Sequence, residues 1–266
     1  FFVISSAIVI YLGLTLCLFA VQRSLLYHPS VGQISPSEFG VPEMQAVDVK
    51  TKDGLLLTAW HKPPKNPDDL TLLYLHGNAG HIGYRATKIK PFLDRGYGLL
   101  LLSYRGYGPN QGTPTENNLY LDGKSGLKFL INQNISLSKL VIYGESLGSG
   151  IAVELAQNLA IAALILEAPF TSMPDAARYH FRLFPTDLLL RDRYNSISKI
   201  KNIDTRLLIL HGKNDRTVPF ELGQKLFESA HEPKDFFEFP YAGHNDLYDH
   251  GAAERIIRYL DSVLHK

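Results

Sequence analysis

Gly144-Glu145-Ser146-Leu147-Gly148 follows the apolar run Lys139-Leu140-Val141-Ile142-Tyr143 and precedes the small-residue stretch Ser149-Gly150-Ile151-Ala152-Val153-Glu154-Leu155-Ala156. A strand-length apolar run, a glycine-flanked turn and a helical pattern are the context that a G-x-S-x-G nucleophile elbow requires. Such a turn exposes the serine hydroxyl in a strained backbone conformation. Its flanking glycines are needed because a side chain there would meet the adjoining strand or helix. Alone, the pentapeptide also fits an ordinary Gly/Ser turn, so the decision rests on residues farther along the chain.

A serine hydroxyl needs an adjacent base, and the base needs a carboxylate to hold its tautomer and stabilise the imidazolium. The strand-like run Arg206-Leu207-Leu208-Ile209-Leu210 leads into His211-Gly212-Lys213-Asn214-Asp215, a turn-rich loop ending in an acid. The run Phe236-Phe237-Glu238-Phe239 leads into Tyr241-Ala242-Gly243-His244-Asn245-Asp246. In an open parallel sheet the loops beyond the strand carboxyl ends form the active crevice. Ser146, Asp215 and His244 are therefore the expected catalytic triad. Glu167 and Asp175, near another strand end, are the alternative acids.

The oxyanion hole of such a site takes one N–H from the residue after the nucleophile and one from a loop after an earlier strand. The first is Leu147. The second lies after Thr71-Leu72-Leu73-Tyr74-Leu75, in His76-Gly77-Asn78-Ala79-Gly80, with Asn78 the expected donor and Ala79 the alternative. His76 precedes the serine and is read as bracing this loop, in preference to serving as the base.

With these residues in place the chain resembles the α/β-hydrolase superfamily. More narrowly it is similar to the membrane-anchored serine hydrolases grouped as α/β-hydrolase-domain-containing proteins 13 and 17 and their bacterial relatives. The matching pieces are Arg23-Ser24-Leu25-Leu26-Tyr27-His28-Pro29, His76-Gly77-Asn78-Ala79-Gly80, Tyr104-Arg105-Gly106-Tyr107-Gly108, Gly112-Thr113-Pro114-Thr115-Glu116, the serine pentapeptide and Gly243-His244-Asn245-Asp246, so the resemblance spans about residues 23–264. It implies the fold and the triad more than it implies a substrate. Two departures, Ser103 before the Tyr-Arg motif and Pro109-Asn110-Gln111 after it, fall where contacts at the rim of the site are expected.

With 266 residues, 45% of them apolar, the chain can bury the core of one large domain and carry a short appendage. A net charge of +1, with no basic block and no glycine-rich phosphate loop, gives no reason to expect nucleic acid. The single cysteine, Cys17, excludes an intramolecular disulfide. His81, His180, His211 and His250 lack metal-ligand spacing, so neither a metal nor any other cofactor is expected. Residues 1–21 carry no charge and are long enough to cross the hydrocarbon core of a bilayer as a helix. They are read as an uncleaved single-pass membrane anchor in preference to a signal peptide, because no Ala-x-Ala site is present, or to a buried core helix. The chain does not begin with Met, so residues upstream are expected. The anchor is expected to supply location and not chemistry, since every candidate catalytic group lies beyond residue 70.

Residues 22–44, with Pro29, Pro36 and Pro42, read as a linker and first loop, and residues 45–266 as the catalytic domain. Asp53-Gly54 marks a hairpin between strands at 45–50 and 55–60. Six further strand-like runs, at 71–75, 98–103, 139–143, 162–167, 206–211 and 235–239, alternate with helical patterns. That pattern predicts an α/β fold: a mostly parallel eight-stranded sheet with helices on both faces. Residues 168–203 break the alternation and predict a short cap, whose Phe170, Tyr179, Phe181 and Phe184 are candidate walls for an acyl chain. Asn245 and Asp246 are expected to cap the last helix.

The resulting expectation is a membrane-anchored serine hydrolase. Its substrates would be acyl esters or thioesters borne by lipids or lipid-modified proteins. A serine peptidase of the same fold would need a larger cap or an extra domain. A membrane-tethered scaffold without activity would not need all three triad members.

Overall fold

The computed structural model describes residues 2–264. Eight strands form one sheet: β1 (Gln45–Lys50), β2 (Leu56–Lys62), β3 (Thr71–Leu75), β4 (Gly98–Leu102), β5 (Leu140–Glu145), β6 (Ala163–Glu167), β7 (Leu207–Gly212) and β8 (Lys234–Phe239). Their spatial order is β1-β2-β4-β3-β5-β6-β7-β8. The β1–β2 hairpin and the β2–β4 pair are antiparallel, and every other neighbour is parallel. Strands β3 to β7 are buried along their whole length. This explains their unbroken aliphatic composition, since a parallel sheet has both faces covered by helices. One apolar core lies on each face of the sheet.

The helices that position the site are α1 (Phe2–Leu26), α2 (Ala86–Asp94), α3 (Glu116–Asn132) and α4 (Leu147–Ala156). A cap comes next, made of three short helices: α5 (Met173–His180), α6 (Thr186–Leu189) and α7 (Ser196–Lys199). The chain returns to the sheet and closes with α8 (Phe220–Glu228) and α9 (Ala252–Leu264). The order of strands reverses around β3 and β5, and a crevice opens beyond their carboxyl ends at such a switch point.

Helix α1 is long and apolar enough to span a bilayer, and its most apolar window has no buried residue. It does not stop at residue 21. It continues through Gln22 and Arg23 to Leu26, so the first part of the expected linker is helical. The helix is held there by the cap: buried Gln22 donates from Nε2 to the Leu189 carbonyl (3.2 Å) and accepts at Oε1 from the Arg191 N–H (2.8 Å). Arg23 Nε pairs with Asp192 at 2.8 Å. After the helix, His28–Pro29 runs parallel to Ala79–Gly80, stitching this segment to the loop after β3.

Candidate active site

Ser146 sits between the end of β5 and the start of α4 with φ 50° and ψ −114°, a conformation unfavourable for a side-chain-bearing residue. The two glycines of the motif are required by contact. A Cβ on Gly148 would overlap the Leu75 carbonyl oxygen, and one on Gly144 would lie 2.6 Å from the Gly148 oxygen. The Ser146 N–H donates to the Glu167 carbonyl of β6 (2.8 Å), which holds the elbow against the sheet.

The structure brings Ser146, Asp215 and His244 together from the loops after β5, β7 and β8. Ser146 Oγ lies 3.0 Å from His244 Nε2, and His244 Nδ1 lies 2.7 Å from Asp215 Oδ2. A carboxylate only accepts, so the Nδ1 proton is donated to Asp215 and Nε2 is left to accept from the serine hydroxyl. Asp215 Oδ1 accepts the N–H groups of Thr217 and Val218, each at 2.8 Å. Burial opposes the charge on Asp215. The hydrogen bonds from His211 and His244, with the backbone N–H groups, outweigh it and hold the carboxyl well below the ordinary carboxylate range. His211 is a participant that spacing alone did not reveal. Its Nε2–H faces both the Val218 carbonyl (3.0 Å) and Asp215 Oδ2 (3.3 Å). Its place at the end of a strand-like run, four residues before the acid, was the available signal.

Leu147 opens α4, so its N–H has no acceptor within the helix. Asn78 faces the same space, and two of its other groups are engaged: Nδ2 donates to the Leu26 carbonyl (2.8 Å), and its backbone carbonyl oxygen accepts from the His28 N–H (3.0 Å) and the Tyr107 hydroxyl (2.8 Å). The Tyr104 hydroxyl donates to the His76 carbonyl at 3.0 Å. Buried Arg105 pairs with Asp122 (2.7 Å) and Asp53 (2.8 Å). The Tyr-Arg-Gly-Tyr-Gly stretch is thus a brace for the loop after β3. Ser103 and Asn110 are also buried, which differs from the expected rim position. Asn110 accepts from the Thr58 N–H of β2 and donates to the Ser103 carbonyl, tying the brace to the sheet.

His76 is buried and stacked on Tyr104 at 4.1 Å, with Nδ1 2.7 Å from the Gly77 carbonyl. Burial, with the Arg85 charge, pushes its imidazole from 6.5 down to about 3. Between those values the unfolded chain binds a proton that the folded chain refuses. Stability is therefore expected to fall as the pH drops below 6.5, by up to about 1.4 kcal/mol per pH unit, and to level off near pH 3. In His76→Gln this part of the slope should vanish. Thermal midpoints measured across that range decide it, and parallel curves for the two proteins would remove His76 from the acid response.

Two other assignments change. Glu167 turns to the far side of the elbow, to Lys88 Nζ (2.7 Å) and the Tyr143 hydroxyl (2.5 Å), and Asp175 caps α5 with Ser172. Asp246 does not cap α9. It accepts the Gly243 N–H at 2.7 Å and so shapes the loop that presents His244.

A cavity of ≈ 210 Å³ runs from Ser146 under the cap. Phe170, Phe181 and Phe184 line it. Tyr179 does not: it lies off the face of α5 that carries Met173, Ala176, Ala177 and His180, beside Arg178 and Arg182 on another surface. The opposite wall is α1, through Leu18, Phe19, Gln22, Leu25 and Leu26. The expectation that the N-terminal helix only locates the protein is thereby corrected. Sequence spacing could not bring it to the serine, because contacts between residues 18–26 and 146–190 depend on how the cap folds back.

The chain matches the α/β hydrolase fold family over residues 71–194. Protein bem46 of Schizosaccharomyces pombe is 33% identical over 253 residues, 86% of this chain and 82% of that protein. Lysophosphatidylserine lipase ABHD12 of Danio rerio is 34% identical over 195 residues, 66% of this chain and 51% of that protein. Among solved structures, the Pyrococcus furiosus esterase Pf2001 superposes with a TM-score of 0.73 at 20% identity, covering 90% of this chain and 99% of that one. With the sheet order, the elbow and these likenesses in agreement, the chain belongs to the α/β-hydrolase family.

Proposed function

We propose that this α/β hydrolase is a membrane-anchored serine hydrolase that cleaves acyl esters, and thioesters by the same chemistry, through an acyl-enzyme on Ser146. The observation that carries the reading is the hydrogen-bonded line from Ser146 Oγ through His244 to Asp215 at the inner end of an apolar cavity. His244 Nε2 takes the hydroxyl proton as Oγ attacks the acyl carbon. The oxyanion forms against the N–H groups of Leu147 and Asn78. Asp215 stabilises the imidazolium, which protonates the leaving alcohol or thiol. Water deprotonated by His244 then attacks the acyl carbon, the bond to Ser146 Oγ breaks as the imidazolium returns the proton to it, and the acid is released. The lining supports an acyl chain over a peptide, since each methylene buried contributes roughly 0.8 kcal/mol. Helix α1 supports a membrane anchor by its length and apolar surface. The lysophosphatidylserine lipase and the esterase among its likenesses agree with an ester or lipid substrate.

The test is labelling of the membrane fraction with a fluorophosphonate, and then hydrolysis of p-nitrophenyl esters of increasing chain length. Labelling on Ser146 is expected, with kcat/KM rising from acetate to medium chains. A chain that is not labelled, or that cleaves only aminoacyl amides, would falsify the reading. Recovery in the soluble fraction with a mature N-terminus near residue 22 would overturn the anchor.

A further inference from the structure

Helix α1 touches the catalytic apparatus at two levels. At its carboxyl end the Leu26 carbonyl accepts from Asn78 Nδ2 at 2.8 Å, so the helix is joined to the loop that carries a proposed oxyanion donor. Leu25, next to it, and Leu18 and Phe19, about two turns before, form a wall of the cavity that ends at Ser146. Leu18 and Phe19 belong to the uncharged run; the first charge, Arg23, comes just after, paired with Asp192. The Arg191 guanidinium stands 4.3 Å over the Phe19 ring. The boundary between apolar and charged surface therefore crosses the helix at the level of the cavity.

The cap runs down the same helix. The Tyr11 hydroxyl donates to the Leu183 carbonyl at 2.9 Å, and its ring stacks on Phe184 at 5.5 Å. Tyr11 lies eleven positions before Gln22, about 16 Å along the axis at 1.5 Å per residue. The cap thus reaches well into the stretch of helix that a bilayer would surround. Its tip carries Leu183 and Leu188, 82% and 83% exposed, side chains of a kind that burial in lipid favours. Of its charges, Arg178 pairs with Asp187 and shares with Arg182 a surface that includes Pro219 and Leu222, while Arg191 and Asp192 meet the helix at Phe19 and Arg23.

We infer that the substrate enters sideways from the bilayer, between α1 and the cap, and that the helix is one wall of the acyl-chain subsite. The occupant is a single long acyl chain of a membrane lipid ester. Its carbonyl is presented to Ser146 at the interface while its tail remains among Leu18, Phe19, Leu25, Phe181 and Phe184. This rests on the serine-hydrolase reading and adds to it which class of substrate is taken and from which phase. Chain length is selected by the membrane helix together with the cap. Leu183 and Leu188 set the cap in the lipid and do not line the cavity.

The full chain in phosphatidylcholine vesicles is given p-nitrophenyl butyrate from solution and p-nitrophenyl palmitate dissolved in the vesicles. The leaving group is the same, so the ratio of the two rates reads only the acyl chain and its delivery. Leu25→Trp, which fills the cavity, should lower the palmitate-to-butyrate ratio at least tenfold. Leu183→Glu with Leu188→Glu should leave butyrate hydrolysis as in the wild type and lower palmitate hydrolysis in vesicles at least tenfold. The palmitate rate should return when protein and ester share detergent micelles. Fluorophosphonate labelling of each variant reports a folded site. A wild-type ratio in Leu25→Trp removes the helix from the subsite, and an undiminished vesicle rate in the double variant removes lateral entry. Absence of labelling and of hydrolysis of both esters in the wild type would instead sink the serine-hydrolase reading itself.

Discussion

Ser146→Ala is expected to lose roughly 10⁵–10⁶-fold in kcat and all fluorophosphonate labelling, the scale seen when a triad nucleophile is removed. The fold should survive. The strained φ of 50° is already borne by a side chain with a Cβ, and alanine adds nothing to it. The elbow is held by the Ser146 N–H on the Glu167 carbonyl, which the substitution keeps. His244→Ala should cost about as much, and the double variant little more, because hydroxyl and imidazole act as one unit across their 3.0 Å contact. Single-turnover assays with a p-nitrophenyl ester, alongside thermal melts, measure both quantities. Labelling that persists in Ser146→Ala would place the nucleophile elsewhere. A double variant much worse than either single one would show that the two residues act independently.

Lys88→Met is expected to destabilise the fold by about 3–5 kcal/mol, the usual cost of stranding a buried charge, and to lower the melting temperature by roughly 10 °C. Lys88 Nζ lies 3.1 Å from Glu145 and 2.7 Å from Glu167, the carboxylates that flank the elbow on its hidden side. Arg85 pairs with Glu145 at 3.1 Å and can retain it. Glu167 would be left with the Tyr143 hydroxyl alone among these partners. Burial opposes the ionised form of Glu145, but the Lys88 and Arg85 charges outweigh it and keep the carboxyl well below its ordinary range. Burial likewise opposes the charge on Lys88, and the two glutamates raise it instead. Removing the surplus charge with Glu167→Gln in the same chain should recover at least half of the lost melting temperature. If Lys88→Met melts with the wild type, the network carries no stability. If the second substitution adds to the damage, the charge balance is not the cause.

The parts of the site legible in the sequence were those written in local patterns. An apolar strand, then glycine and a chemically suited residue, occurs at Ser146, Asp215 and His244, and a parallel sheet presents all such loop starts at one edge. The alternation of strands and helices conveyed the fold for the same reason, since periodicity reports which face of each element is buried. Local polarity misled where a side chain had more than one possible partner. Asp246 looked like a helix cap, yet its carboxylate reaches back to the Gly243 N–H. Ser103 and Asn110 looked like rim residues, yet they are buried in hydrogen bonds between the brace and β2.

What the sequence determined by itself, then, is the elbow, the order of Ser146, Asp215 and His244 as candidate nucleophile, acid and base, and an apolar helix at the amino end. These arise from steric and hydrophobic rules that act within a few residues. Only the tertiary structure decided that Phe181 and Phe184 face the serine while Tyr179 does not. The residues of the cap alternate between two surfaces, and its path between them depends on docking to α1. It also decided that Leu18, Phe19 and Leu25 share a cavity with Ser146. That contact joins segments more than a hundred residues apart, through Gln22 on the cap backbone and Asn78 on the Leu26 carbonyl. Such pairings are selected by the packing of the whole chain, and no local pattern records them.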